Sequence, residues 1–273
     1  MTESTWNQTA LDIVNATRDQ YQTSDKLNMR INMHAKYSVN KESFGKMISS
    51  YYTIQPGDCI LELGAGTGDM WLSDDRGISI DSLPEGVHLT LTDFSEGMLE
   101  TCRKNITDRG NVSYEVVNIE DIPYEDRSFD LLIANSMLYH VPDIDKGLSE
   151  VHRVLKDGGK FCCATYGEHG VIPFIANMLK EYNVEDRTNK RFTLQNGGSV
   201  LEKHFSRVSR HDYEDHWEVT DIDDLCDYVY SLTSLTGLGE KITRKDMYRT
   251  FEGQMINGIL TIPKEYGVFV CRK

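Results

Sequence analysis

The sequence predicts an α/β fold, a mostly parallel sheet with crossover helices on both faces. Three observations predict it. Residues 59–63 (Cys-Ile-Leu-Glu-Leu) form a short apolar run, read as a buried strand, which breaks into Gly64, Gly66 and Gly68 and leads toward a helix. A second short strand, residues 89–93, ends on Asp93, and residues 94–99 then begin a helix with Ser95 as its N-cap. From 59 to 166 strand-like and helix-like stretches keep alternating, which is the pattern of parallel strands joined by right-handed crossovers.

The first loop says what such a sheet would bind. Glycines lack a Cβ and tolerate positive φ, so the backbone can turn tightly and lie close to a ligand. Glu62 places a negative charge near the strand exit, which suits a ligand bearing a positive group. The spacing is G-x-G-x-G, and the position where a dinucleotide fingerprint needs its last glycine holds Asp69. A carboxylate there opposes a pyrophosphate at a helix N-terminus. The loop therefore favours a nucleoside cofactor without phosphates. Asp93 sits where the second strand of an open α/β sheet hydrogen-bonds a ribose diol. It lies somewhat beyond the roughly 20 residues usual after the glycines. Residues 73–87, with Asp74, Asp75, Gly77 and Gly86, read as an enlarged connection.

The remaining elements follow in order. Residues 1–50 read as polar and helical with a break at 24–26, and 29–40 are rich in polar side chains that could point into a site. A helix is expected over 43–52, then a turn at 54–58. Asp157-Gly158-Gly159 reads as a turn before a fifth strand. Helices are expected over 173–182, 197–205, 220–235 and 243–258, and strands over 211–219 and 266–271. Asp221, Asp223 and Asp224 stand in the first turn of one helix, where the dipole favours negative charge, so no metal is assigned to them.

The 273 residues can hold one large α/β domain with an insertion, or one domain plus a small cap. Lys plus Arg number 29 against 43 Asp plus Glu, a net charge of −14 with no basic cluster, which disfavours nucleic acid as a partner. The polar N-terminus and the absence of a long apolar run predict neither secretion nor membrane insertion. The six cysteines show no C-x-x-C pair or zinc spacing, and a reduced, cytoplasmic protein without metal is expected.

Five segments coincide in order: the 62–68 loop; Asp93; Asn118-Ile119-Glu120-Asp121-Ile122-Pro123-Tyr124; residues 128–133 followed by Leu138-Tyr139-His140; and residues 151–160, ending Asp157-Gly158-Gly159-Lys160. On these segments the run from about 55 to 166 resembles the catalytic core of the class I S-adenosylmethionine-dependent methyltransferases, specifically the small-molecule branch with the ubiquinone and menaquinone C-methyltransferases. The resemblance implies a Rossmann-like seven-stranded, mostly parallel sheet whose last strand inserts antiparallel. It also implies three regions: 1–52 covering the site, 53–166 binding S-adenosylmethionine, and 167–273 supplying helical lid insertions and the last two strands. No Pro-Pro-aromatic tetrad follows the fourth strand, as it does in enzymes methylating adenine or glutamine amides; Asn135-Ser136-Met137-Leu138 stands there. The expected acceptor is a small molecule, methylated on oxygen, nitrogen or carbon, with S-adenosylhomocysteine as the second product.

Residue by residue, the resemblance implies that Glu62, Gly64, Ala65, Gly66 and Gly68 hold the methionine portion, with Glu62 near its ammonium group. Asp93 would take the ribose, Phe94 and Met98 would border the adenosine, and Ile119 would contact adenine. Asn118 stands where the family usually carries Asp; its amide oxygen can still accept a hydrogen bond, and Glu120 or Asp121 could share that role. Asn135 and Ser136 would line the sulfonium end. Tyr37 would reach the cofactor from the N-terminal segment, and Tyr139 and Tyr166 would line the acceptor pocket. A general base is needed only for an acceptor protonated at neutral pH. His140, at a strand's carboxyl end, and His34 are the candidates, with His169 a third. Two other readings remain: a non-catalytic S-adenosylmethionine-binding regulatory protein, and an NAD(P)-dependent oxidoreductase.

Overall fold

A computed structural model describes residues 24–106, 110–232 and 242–273. The helical expectation for residues 1–23, and the end of the helix expected over 220–235, lie outside the described residues. The chain divides into two compact units: Glu42–Gly167, Lys190–Tyr213 and Tyr266–Lys273 form one, and Met1–Lys41, Glu168–Asn189 and Glu214–Glu265 the other.

Seven strands run β1 (Cys59–Leu63), β2 (His88–Asp93), β3 (Val112–Val116), β4 (Phe129–Ile133), β5 (Leu155–Tyr166), β6 (Arg207–Val219) and β7 (Leu260–Arg272). They form a sheet of order β3-β2-β1-β4-β5-β7-β6. β1 pairs in parallel with β2 and β4, β2 with β3, and β4 with β5, whereas β7 runs antiparallel to β5. The expected Rossmann-like order, with an inserted antiparallel last strand, is the order observed. The strand order reverses between β1 and β4, where open α/β sheets bind their ligands at the carboxyl ends.

The alternation of side chains along each strand fixes which residues share a face. Ile60 of β1, Leu89 and Leu91 of β2, Leu131 and Ile133 of β4, and Cys162 and Ala164 of β5 pack in one cluster with Ile48, Tyr52 and Trp71. Leu61, Leu63, Leu132, Phe161 and Cys163 point into the opposite cluster. Counting by twos from the first set reaches Glu62, Asp93, Asn135, Lys160 and Tyr166. One face therefore carries an apolar floor with polar groups along it.

Helices α1 (Ser24–Tyr37), α2 (Phe44–Ser49), α3 (Glu96–Ile106), α4 (Ile144–Val154), α5 (Val171–Met178), α6 (Gly197–Leu201), α7 (Ile222–Ser231) and α8 (Arg244–Glu252) complete the described elements. The Ser95 hydroxyl faces the Met98 N–H at 3.4 Å, at the start of α3. Asp143 caps α4 by accepting from Lys146 N–H.

Two details differ from the sequence expectation. No α-helix opens after the glycine loop; β1 and β2 are joined through two three-residue 3-10 turns, Asp69–Trp71 and Ile80–Ser82. The turn-forming residues of 73–87 explain it, as does Gly77, where a Cβ would come within 2.3 Å of the Met70 carbonyl oxygen. Asp157-Gly158-Gly159 does not precede β5 but lies inside it. The register with β4 steps from Phe129↔Leu155 to Leu131↔Lys160, so the turn is absorbed as a bulge, with Gly158 at φ 76°.

In the other unit α1, α5, α7 and α8 surround a core that includes Trp217, Leu225, Val229, Phe251 and Ile262. Its helices are shorter than expected. The 173–182 stretch breaks into α5 and a 3-10 turn that ends at Asn183 in the left-handed region, and residues 256–259 form a bridged turn rather than helix. The acids of α7 all have protein partners. Asp221 caps the helix through Asp223 N–H, Asp224 accepts from Lys36 and Tyr37, and Asp223 and Asp227 pair with Arg244.

Candidate functional site

The glycine loop leaves β1 with Gly64, Gly66 and Gly68 all at positive φ. Each glycine has its own reason. A Cβ on Gly64 would press on Met137 at 3.0 Å, and one on Gly68 on Ile106 at 2.6 Å and Cys102 at 2.8 Å. Gly66, at φ 57°, differs: a Cβ there would meet nothing within 4 Å. Its bare backbone faces open space. Ala65 N–H donates to the Thr92 carbonyl at 2.8 Å, fastening the loop to β2.

Asp93, at the end of β2, organises the loop. Its Oδ2 accepts from Gly66 N–H at 2.9 Å and its Oδ1 from Ser95 N–H at 2.8 Å. Burial raises its pKa, opposed by these backbone hydrogen bonds. A carboxylate offers about four lone-pair sites, and the backbone N–H groups of Gly66, Phe94 and Ser95 take three of them, so one acceptor site is left for a ligand. Phe94 and Met98 follow, both half-buried.

Glu62 is 2% exposed, and its Oε2 accepts from Trp71 Nε1–H at 2.5 Å. Among the described residues no salt bridge reaches it. Burial pushes its pKa up to about 7; the Trp71 hydrogen bond opposes this, the nearby Asp93 charge adds to it, and a hydrogen bond from Asn135 opposes it again. Asn135 lies beyond β4 on the same face and donates through Nδ2 to the Tyr52 hydroxyl at 2.7 Å. Its Oδ1 is buried without a hydrogen-bond partner. Asn135 thus donates to both Glu62 and Tyr52 while its oxygen stays buried without a donor, so an ammonium group fits a site that offers a buried carboxyl and an unsatisfied carbonyl.

Ser136, at φ 53°, turns the chain sharply after β4, and its N–H donates to the Ala164 carbonyl at 2.9 Å. Such a conformation in a non-glycine residue is strained and tends to cluster at functional sites. Leu138–His140 then form a 3-10 turn. The Tyr139 ring lies 4.5 Å from the His140 ring and 4.7 Å from the Tyr166 ring, centroid to centroid. Burial lowers the His140 pKa, so the imidazole is neutral at pH 7.

The Asn118 segment follows β3. Its amide oxygen accepts from Glu120 N–H at 3.0 Å, closing a local turn, while Glu120 Oε1 accepts from Asp143 N–H at 2.8 Å. Ile119 is buried and faces Gly147 of α4.

The strand ends thus gather Glu62, the glycine loop, Asp93, Asn135, Ser136, Tyr139, His140 and Tyr166 within one unit. His34 and Tyr37 belong to the other. The Tyr37 hydroxyl donates to Asp224 at 2.6 Å. The His34 ring lies 4.9 Å from Trp217, edge-on, and burial, with the Lys264 charge, lowers its pKa to about 4. His169 N–H donates to Glu265 at 2.7 Å. Sequence reasoning missed Tyr52 and Trp71, the two aromatic partners of the Asn135–Glu62 pair. Trp71 could have been found as the large residue three places beyond Gly68; Tyr52 leaves no comparable signal.

Residues 61–163 match the family model described as methyltransferase domain. The ubiquinone/menaquinone biosynthesis C-methyltransferase UbiE of Brucella abortus is 34% identical over 117 residues, covering 42% of this chain and 42% of that protein. Demethylmenaquinone methyltransferase of Symbiobacterium thermophilum is 37% identical over 112 residues, 40% of this chain and 43% of its own length. The chain thus spans less than half the length of these curated relatives. The crystal structure of the YcgJ protein from Bacillus subtilis matches with TM-score 0.51 at 18% identity, covering 83% of this chain and 96% of that one. At that identity the likeness is one of fold.

Proposed function

We propose that the protein transfers a methyl group from S-adenosylmethionine to a small-molecule acceptor, a reading supported by the match of residues 61–163 to the methyltransferase-domain model and by the similarity to C-methyltransferases. The observation that carries this reading is the pairing of an uncompensated buried Glu62 with the partnerless Asn135 oxygen, beside a glycine backbone open at Gly66. These groups fit an amino-acid ammonium. Asp93 retains acceptor capacity for a ribose diol.

The bound cofactor would supply a methyl group on a positively charged sulfur. This chain's own residues do the rest. Glu62 and Asn135 take the ammonium, the 64–68 backbone receives the carboxylate end, and Asp93 fixes the ribose. Asn118, Ile119, Phe94 and Met98 border the adenine, and Glu120 holds the α4 start beside them. Ser136 brings Met137 back over Gly64, narrowing the sulfur end. Alignment of the reacting atoms supplies a large part of the rate. Tyr139 and Tyr166 flank the acceptor. His140 holds a lone pair for an acceptor proton.

The test is a thermal-shift titration with S-adenosylmethionine, S-adenosylhomocysteine, NAD and NADP. A rise with the first two alone supports the reading, and a rise with dinucleotides alone overturns it. Binding is also expected to depend on pH. A bound ammonium favours the Glu62 carboxylate, so below about pH 7 binding must expel its proton. S-adenosylhomocysteine affinity should rise by up to about tenfold per pH unit from 5.5 to 7 and then level off. Titration calorimetry across that range checks it.

With an acceptor in hand, His140→Ala should lower kcat by about 100-fold and leave cofactor affinity unchanged. In the unaltered protein, activity should fall as pH drops below the lowered His140 pKa, where the imidazole becomes charged. Unchanged turnover at saturating acceptor removes the base role.

A further inference from the structure

Lys160 stands on β5, almost wholly buried at 7% exposure, with no carboxylate partner among the described residues. Its Nζ donates to the Tyr51 carbonyl at 2.6 Å, to the Thr53 hydroxyl, and more distantly to the Tyr52 carbonyl at 3.4 Å. A buried ammonium held only by neutral oxygens is costly, because charge is taken from water without a counter-charge. Methionine or leucine would fill the same place in a sheet floor more cheaply.

The place itself suggests what the charge is for. The three residues it grips follow α2, and Tyr51 N–H and Tyr52 N–H close that helix on the Ile48 and Ser49 carbonyls at 3.1 and 3.0 Å. A cation at the last carbonyls of a helix is favourable. Thr53 sits at φ 50°, in the left-handed region, so the turn does not hold this shape by itself. The Tyr51 ring stacks on His211 of β6, with centroids 4.2 Å apart. From this anchored turn the fully buried Tyr52 side chain runs along the sheet face past Cys162, and its hydroxyl meets Asn135 Nδ2. Asn135 has one amide to orient. With Nδ2 committed to Tyr52 and to Glu62, its buried oxygen is left without a hydrogen-bond partner and its direction is set by that pair of contacts.

We propose that Lys160 is a positioning residue for the cofactor's amino-acid end: by clamping the 51–53 turn it holds the Tyr52 hydroxyl on Asn135, which aims the Asn135 oxygen at the ammonium group. The proposal rests on the cofactor reading above and adds to it a residue on the same sheet face that reaches the site only through the 51–53 turn. It makes a distinction that general loss of stability does not. S-adenosylhomocysteine carries the ammonium and carboxylate, whereas 5′-methylthioadenosine keeps the adenosine and sulfur without them.

The experiment is calorimetric titration of the full-length protein and of Lys160→Met with both nucleosides. The variant is expected to bind S-adenosylhomocysteine about tenfold more weakly, the scale of one charge-assisted hydrogen bond lost. Its affinity for 5′-methylthioadenosine should stay within about twofold. Tyr52→Phe should show the same split, and the double variant should bind no more weakly than the worse single one, because both changes break one chain of contacts. Equal weakening toward both ligands, or additive losses in the double variant, overturns the proposal. If Lys160→Met does not fold, Lys160→Gln, which keeps a neutral donor, carries the same comparison. An unaltered protein that binds neither nucleoside overturns the cofactor reading, and the Lys160 proposal with it; normal binding without the split overturns the Lys160 proposal alone.

Discussion

Glu62→Gln is expected to give a protein that is more stable when empty and yet binds S-adenosylmethionine at least about 100-fold more weakly. The two effects share one cause. Among the described residues no cation pairs with the buried Glu62, and burial holds its pKa near 7 against an ordinary value of 4.5. A raised carboxyl pKa means the folded state keeps a proton that the unfolded chain releases. Stability is therefore fully present below the unfolded pKa and is lost as pH rises from about 4.5 to 7. At 1.36 kcal/mol per pKa unit the loss is about 3 kcal/mol. Glutamine keeps the shape and an oxygen for Trp71 Nε1–H, and removes that penalty. It also removes the carboxylate that would face the cofactor's ammonium, and breaking a buried charge pair costs about 3–5 kcal/mol. Thermal denaturation from pH 4.5 to 8 should show a falling midpoint for the unaltered protein and a flatter one for the variant. A glutamine variant that binds cofactor normally would remove Glu62 from the site.

Asp93→Ala should be the most damaging single change to both loop and ligand. The carboxylate accepts from Gly66, Phe94 and Ser95, so its removal leaves three backbone N–H groups without that partner. Each such loss costs about 1–3 kcal/mol, and the Gly66 turn loses the contact that sets its conformation. Cofactor affinity should fall at least about 100-fold, since the ribose loses its acceptor and the glycine backbone its support. Asp93→Asn should rescue little, because an amide has one oxygen and its NH2 must then face one of these N–H donors. Titration with S-adenosylhomocysteine, alongside urea denaturation, separates the parts. An alanine variant that binds within about threefold of the unaltered protein contradicts the assignment.

The 62–68 loop and Asp93 were legible in the chain because their requirements are local. Positive φ demands glycine wherever a Cβ would strike a neighbour, and the alternation of a strand decides which face a side chain takes. The same rule places Asn135 and Lys160 on the face of Glu62. The connection after the glycines was not legible as 3-10 turns, because a long-range contact decided it: Gly77 lies against the Met70 carbonyl too closely for any side chain. The length of β5 escaped in a similar way, since Asp157-Gly158-Gly159 is a turn by propensity that the ladder with β4 absorbs as a bulge.

By itself, then, the sequence determined the alternation of strands and helices and the glycine turn, because these follow from local periodicity and backbone sterics, while the seven-stranded sheet with its antiparallel last strand came from the family resemblance. Only the tertiary structure decided that Glu62 has no counter-charge among the described residues, that Tyr52 and Trp71 close around it, and that Lys160 is buried against the 51–53 turn. Burial and charge pairing are set by residues distant along the chain. A carboxyl reads the same in a sequence whether a cation lies beside it or not.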